Sequence, residues 1–588
     1  MKRFGMSFFL ALSLVFSLGP MAVDSALSAD DESPDIVKGN VGKKLDDYLT
    51  RITPFGFSGA LLVAQEGEVI LNKGYGEAIR SEKIPNTSST VFTTGSITKQ
   101  FTAAGIMKLE MMEKLHTQDP LSKYFKDIPT DKKEITLHHL LTHSSGVVDT
   151  VGRDYDRALR DDTAIKILNA PLQFTPGKRF SYSNAGYSLL AAVIEKVSGQ
   201  KYEEFVHEHL FIPAGMEFTG YRIPKWKNKV VAHWYTGEKD NGTPLEKSYP
   251  YWNLLGNGGI LSTTMDMYRW HLALLEYKVL NAEVKKKIFT PYINEYGYGW
   301  DVISSERGLL IQHDGGSSLG GSAEMRRYID AGVVTILFCN QSYGQEVLFY
   351  PVRDKIENLI FGGDVVLPPL VKSVPAEKLR KFEGDYTLES GDVIKVKYRN
   401  QRLRVTPTGQ EAVTALFAVE PAMAKEFLKL NTLTEDVLNP VLKGDYDKLA
   451  EVLSNKKRRL SPVCQLISMR LEQDAKRTGE INKVIARVTL PAEFRENLAA
   501  QTFVQFKGEK GSIYFSLFWQ DMINVGIAPE EGVPDLSVPF QPLDGSVFAG
   551  YHLDMARNFK ISFLIDEKGS VTGLIIPSGS EKIKAKRS

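Results

Sequence analysis

Strand-like sequence stands at both ends of the stretch 57–361, with helical sequence between. From 57 to 76 the chain alternates as a hairpin: Ala60-Leu61-Leu62-Val63-Ala64, a turn at Glu66-Gly67-Glu68, then Val69-Ile70-Leu71. Strand-like runs return at 298–303, 309–313, 323–328 and 333–338, and a helix-like stretch at 347–361 closes the unit. The residues between, to about 287, are helical and loop-rich. Strands at both ends with helices between predict an α+β unit: an antiparallel sheet flanked by helices, whose edges meet in space. Such a sheet brings residues near 96 and 313 together.

Between the strand groups stands Thr93-Thr94-Gly95-Ser96-Ile97-Thr98-Lys99-Gln100, followed by apolar residues at Phe101, Ala104, Met107, Met111 and Leu115. Spacings of three and four put these on one buried helix face. Ser96 and Lys99 lie three apart, so at the first turn an amine comes within reach of a hydroxyl. A serine is a weak nucleophile until a base takes its proton, and a lysine serves only if burial or positive charge lowers its pKa from about 10. Backbone N–H groups at a helix start would stabilise an oxyanion. Ser-x-x-Lys also occurs at Ser198 to Lys201 and Ser454 to Lys457, so Ser96 needs partners to carry chemistry.

Two stretches supply them. Phe180-Ser181-Tyr182-Ser183-Asn184 leads into an apolar helix, Leu189-Leu190-Ala191-Ala192-Val193-Ile194. A Tyr182 hydroxyl facing Lys99 would act as general base and later as general acid, provided the ammonium lowers its pKa from about 10. Asn184 would orient the lysine and a substrate amide. Ile311-Gln312-His313-Asp314-Gly315-Gly316 ends a strand facing the Ser96 helix. His313 can supply a donor or a positive charge opposite the nucleophile, and the glycines, Gly315 first, let a substrate lie against the strand. The N–H of Gly316 would join that of Ser96 as an oxyanion hole.

The 588 residues, 43% hydrophobic, suffice for several cores, three or four domains at about 150 residues each. With 72 basic and 71 acidic residues, no field favours nucleic acid or anionic membranes, and the expected partner is a small molecule or peptide. Met1-Lys2-Arg3, an apolar run to Val23 broken by Gly19-Pro20, and small residues before Asp30-Asp31 read as a signal peptide over 1–29. A secreted or periplasmic protein with no stable membrane span after cleavage is expected. Cys339 and Cys464 are too few for a disulfide framework; they could pair in an oxidising compartment, and the apolar run before Cys339 predicts burial. His138-His139 with His143 lacks metal-ligand spacing, so neither metal nor cofactor is expected.

Taken in order, Ser-x-x-Lys at Ser96, Tyr-Ser-Asn at Tyr182 and His-x-Gly at His313, with a strand hairpin ahead of the first, resemble the serine β-lactamase and penicillin-binding protein-like family. The likeness is to its class C, D-Ala-D-Ala carboxypeptidase, esterase and D-aminopeptidase branch. Leu140-Leu141-Thr142-His143-Ser144-Ser145-Gly146 and Gly256-Asn257-Gly258-Gly259 also look like the family. The resemblance covers about 48–361, within a hydrolase domain set at 40–365. It implies a β-lactamase-like fold and an acyl-enzyme formed from an amide, peptide or ester, peptidoglycan-derived peptides included. By the same resemblance Ser96 is acylated, Lys99 activates it, Tyr182 is the base, Asn184 positions, and His313 stands for the third-motif lysine. Asp314 departs from the pattern, because the family usually has threonine or serine there, holding a substrate carboxylate. A carboxylate at that place repels another, so substrates with a free D-amino end are expected over β-lactams.

Pro368-Pro369 and Val374-Pro375 mark a linker over 366–376. Beyond it, alternation at 382–398 and 559–565 resembles the lipocalin-like barrels appended to such hydrolases, placing β regions at 377–430 and 545–580. The section 431–544, helical at first and then strand-like, reads as an α+β insertion or separate accessory domain without a catalytic constellation. Two other readings stay open. Gly316-Ser317-Ser318-Leu319-Gly320 matches the nucleophile elbow of α/β-hydrolases, with Ser318 as nucleophile, although the run after it reads as a strand where that elbow demands a helix. Alternatively the fold binds peptidoglycan fragments or a partner protein and acylates nothing.

Overall fold

The computed structural model describes residues 35–588 apart from 227–228, 238, 248–249, 318, 342–348, 372–373, 400, 418, 420, 454–455, 492–499, 521–522, 531, 533–535, 553–556 and 579–580. The expected signal peptide and Ser318 therefore lie outside the described residues.

A short strand, β1 (Ile36–Val37), leads into α1 (Gly39–Ile52), whose buried Leu45, Tyr48, Leu49 and Ile52 recur at helical spacing. The hairpin β2 (Gly59–Gln65) and β3 (Glu68–Tyr75) turns through Glu66 and Gly67, both at positive φ (50° and 82°). Next come α2 (Thr98–Met111) and α3 (Asn184–Ser198), which pack together. The chain returns to the sheet as β4 (Asp301–Ser305), β5 (Gly308–Gly316), β6 (Ser322–Tyr328) and β7 (Val333–Cys339), then α4 (Phe349–Ile360). The run at 298–300, expected as strand, is loop instead. Gly299 sits at φ 76°, and a Cβ there would lie 2.6 Å from the Lys99 carbonyl oxygen.

The sheet order is β1-β3-β2-β7-β6-β5-β4, antiparallel throughout. Its middle is closed by chain-distant neighbours: Val333 of β7 faces Gln65 of β2, and Cys339 faces Gly59. Alternation sorts the side chains into two layers. Ala60, Leu62, Ala64, Val334, Ile336 and Phe338 pack with α2 and α3, whereas Leu61, Val63, Val333 and Leu337 pack with α1 and α4. Both cysteines are free, Cys339 buried within β7.

Beyond residue 376 lie β8 (Gly384–Thr387), β9 (Val393–Arg399) and β10 (Arg402–Thr408). An α+β section follows: α5 (Pro421–Leu438), α6 (Lys456–Thr478), and a four-stranded antiparallel sheet of β11 (Ile481–Pro491), β12 (Ala500–Gly508), β13 (Ser512–Gln520) and β14 (Ile523–Glu530). The chain then supplies β15 (Val538–Asp544), β16 (Val547–His552), β17 (Arg557–Ile565), β18 (Val571–Ser578) and β19 (Glu581–Arg587), which close with β8–β10 into an eight-stranded barrel. The barrel's second segment is wider than the 545–580 read from sequence. Pro539 and Pro542 disguise β15, and a bulge between Pro542 and Asp544 accommodates the second of them. Buried aromatics pack together in its core, with the Phe548 and Phe563 ring centroids 5.3 Å apart.

The barrel rests on the α1/α4 side of the hydrolase sheet. Tyr551 of β16, 0% exposed, joins that hydrophobic cluster with its ring 6.0 Å from Phe55, and Gln541 donates to the Pro54 carbonyl at 2.9 Å. Among the described residues no helix is long and apolar enough to cross a membrane.

Candidate active site

Ser96 sits in a 3₁₀ turn, Gly95–Ile97, that runs directly into α2. This turn is pressed against the end of β5. Gly95 has φ 51°, and a Cβ there would lie 2.6 Å from the Gly316 amide nitrogen, while a Cβ on Gly315 would strike Thr94 and Ser96. Backbone contact of this kind brings Ser96 and Gly316 onto one cleft. Ser96, Tyr182, Tyr296, Asp301, His313, Asp314, Gly315, Gly316 and Tyr350 are among the residues lining it, around about 520 Å³.

Lys99, fully buried one turn on, directs its Nζ to three oxygens: Ser96 Oγ at 3.1 Å, Asn184 Oδ1 at 2.7 Å and the Asn257 carbonyl at 2.7 Å. Burial lowers the amine to about pKa 7, against the more distant pull of Asp149, Asp154 and Asp314. The Tyr182 hydroxyl is hydrogen-bonded to Ser96, and its ring centroid lies 4.7 Å from Nζ. Burial raises the phenol well above its usual value, the reverse of what a tyrosine base requires.

Asn184, the first residue of α3, accepts from Lys99 through Oδ1, and its Nδ2 donates to Asp149 Oδ1 at 2.9 Å. The amide thus holds the lysine and turns a donor toward Asp149. It was expected to orient a substrate amide as well, yet it is not among the cleft-lining residues.

His313 is buried on β5, facing the α2 side with Ile311. Its Nδ1 lies 2.6 Å from the Asp314 carbonyl, which can only accept, so Nδ1 carries the proton; Nε2 is then free to accept from the Tyr296 hydroxyl at 3.0 Å. Burial lowers its pKa, opposed by Asp301. The ring is therefore neutral with both nitrogens engaged, where the sequence suggested a donor or positive charge facing the nucleophile. Asp314 lines the cleft and accepts from the Tyr350 hydroxyl at 2.7 Å.

Three side chains, besides the Asn257 carbonyl, were given no place in the site by sequence reasoning. Tyr296 holds His313, and its only sequence signal is the aromatic-glycine run that follows it. His143, at φ 53°, accepts the Ser183 N–H at 2.9 Å and lays its ring 4.2 Å from that of Tyr182. Asp149 comes from the loop after Gly146. The remaining histidines of the considered metal cluster have other partners: His138 Nδ1 lies 2.7 Å from the Tyr298 hydroxyl, and His139 Nδ1 accepts the Thr136 N–H. Among the described residues β5 is followed by antiparallel β6 rather than by the helix that a nucleophile elbow demands.

The chain is similar to known proteins. The model of the β-lactamase family matches residues 55–353. A penicillin-binding protein of Bacillus subtilis strain 168 is 30% identical over 393 residues, 60% of this chain and 84% of that protein. The putative penicillin-binding protein PbpX of the same organism is 33% identical over 299 residues, 48% of this chain and 74% of its own. Among solved structures, the octameric penicillin-binding protein homologue from Pyrococcus abyssi is similar with TM-score 0.50 at 20% identity, over 93% of this chain and all of that one, a likeness of fold.

Proposed function

Because this chain belongs to the β-lactamase family and is a serine hydrolase of the acyl-enzyme type, we propose that Ser96 is the residue acylated and that neutral Lys99 is its base. The substrate is an amide, peptide or ester, peptidoglycan-derived peptides included, with a free D-amino end favoured over β-lactams. The observation that carries this is the triple contact of a buried, proton-poor amine with Ser96, Asn184 and Asn257.

In the proposed sequence Ser96 Oγ attacks the acyl carbon as its proton passes to Lys99 Nζ. The N–H groups of Ser96 and Gly316 receive the oxyanion. Tyr182, kept protonated by burial, gives its proton to the leaving nitrogen or oxygen and is refilled from the Lys99 ammonium through the departing group's site. Water then attacks the ester by the same steps reversed, releasing acid and restoring Ser96.

The preference for an amine rests on the cleft's charge. Asp301 and Asp314 line it, and neither lysine nor arginine is among its described lining residues. A substrate ammonium is attracted there and a carboxylate repelled. Export through residues 1–29 is part of the same reading, checked by the N-terminal sequence of the protein recovered outside the cytoplasm.

Mass spectrometry after a fluorophosphonate, with D-amino acid amides, p-nitrophenyl esters and a chromogenic cephalosporin assayed side by side, tests the proposal. An adduct on Ser96 and turnover lost in Ser96→Ala support it. An unmodified Ser96 would leave the non-catalytic binding role instead.

A further inference from the structure

Asn184 has an amide that could present either end to Lys99, and which end it presents decides where the amine's lone pair points. A neutral amine has two N–H donors and one lone pair. The Asn257 carbonyl, 2.7 Å from Nζ, can only accept and takes one N–H. If Asn184 Oδ1 takes the second, the lone pair is left for the Ser96 hydroxyl at 3.1 Å. If instead Nδ2 faced the lysine, the lone pair would be bound by Asn184, and Ser96 would receive a donor where it needs an acceptor.

We propose that Asp149 is the positioning residue that sets this choice, acting through Asn184. A carboxylate accepts and cannot donate. Asp149 Oδ1 receives the Asn184 side-chain Nδ2 at 2.9 Å and its backbone N–H at 3.0 Å, which forces the amide oxygen toward Lys99. The loop is itself fastened to the start of α3: the Asp149 carbonyl accepts the Ala185 N–H at 2.7 Å, and Ser183 Oγ donates to the Val148 carbonyl at 2.8 Å. Both anchoring contacts are accepted by loop backbone carbonyls and survive replacement of the Asp149 side chain. The same carboxylate pulls the Lys99 pKa upward, so it orders the base and moderates how far burial depresses it.

The inference rests on the reading of Lys99 as base, and a variant at Asn184 isolates it. In Asn184→Asp the side chain facing Lys99 accepts from either oxygen and the oxygen that replaces Nδ2 repels the Asp149 carboxylate, so Asp149 no longer orients the group and its removal has no favourable contact to lose. The measurement is the rate of Ser96 labelling by a fluorophosphonate, together with kcat/KM on a p-nitrophenyl ester. Asp149→Ala is expected to slow both about tenfold or more in the otherwise natural chain and less than about twofold in the Asn184→Asp background. Asp149→Asn keeps an acceptor oxygen and is expected to stay within about threefold of the natural chain. Equal losses in the two backgrounds, no loss from Asp149→Ala, or an Asp149→Asn as slow as Asp149→Ala each overturn the inference. Labelling that persists in Ser96→Ala would overturn the proposed function itself, so the two failures are distinguishable.

Discussion

The phenol of Tyr296 donates to His313 Nε2 across 3.0 Å, while the other ring nitrogen is held by the Asp314 carbonyl at 2.6 Å. His313 is thus a neutral strut, and the tyrosine that fixes its protonation comes from a loop. In Tyr296→Phe the donor that favours an accepting Nε2 is gone. The His313 pKa, now lowered by burial, is expected to rise by about half a unit to one unit, read by NMR titration of the ring protons. An unchanged or lower value would refute this assignment of the proton.

Lys99 must be neutral to take the Ser96 proton, and burial places its pKa at about 7. Acylation rates are therefore expected to rise with pH through about 7, tenfold per unit below it. A flat profile between pH 6 and 8 would contradict the base assignment.

The same shift predicts a pH-dependent stability. The folded pKa lies below the unfolded value near 10.4, so the unfolded chain binds more protons between the two. Wild-type stability relative to Lys99→Met should climb with pH between about 7 and 10, at about 1.4 kcal/mol per unit, and level off below 7. Urea unfolding of the two proteins at pH 7 and pH 9 measures the slope.

Asp314→Thr removes a cleft carboxylate and restores a hydroxyl. Cephalosporin hydrolysis is expected to increase roughly tenfold and turnover of D-amino acid amides to fall by a similar factor, an electrostatic discrimination of about 1.4 kcal/mol each way. Faster cephalosporin hydrolysis by the wild type would reject the charge argument.

Tyr551→Ala empties a buried position where barrel and hydrolase meet. Truncation of a large core aromatic costs about 3–5 kcal/mol, seen as a lower midpoint in thermal or urea unfolding. Ser96 labelling under native conditions is expected to stay within about twofold, because the contact lies on the α1/α4 side of the sheet. A selective loss of labelling with unchanged stability would tie the barrel to the cleft.

The parts of this site that sequence exposed are those set by local periodicity. Ser96 and Lys99 lie one helical turn apart, and their separation follows from spacing alone. Tyr182 and Asn184 stand at the start of α3, and His313 lies within β5 three residues before its end, where a motif can be read. Tyr296, His143 and Asp149 hold their places through loop backbone, His143 even at positive φ, and no periodic pattern records such conformations. The Asn257 contribution is a carbonyl, which every residue has. In the fold, the two strand groups and the intervening helices were legible from alternation and helical spacing. Strand β15 was hidden by Pro539 and Pro542, and the loop before β4 by Gly299, whose role is a close approach to the Lys99 backbone.

Strand β7 fills the centre of the hydrolase sheet, yet it is synthesised last among the sheet's strands. Until residue 339 has left the ribosome, the hairpin edge at Gly59–Gln65 has no partner, and Leu61, Leu62 and Val63 present an unsatisfied apolar ribbon to whatever is nearby. The domain consequently cannot assemble progressively from its first residue, and the nascent polypeptide has to be kept from self-association until nearly all of the hydrolase has been made.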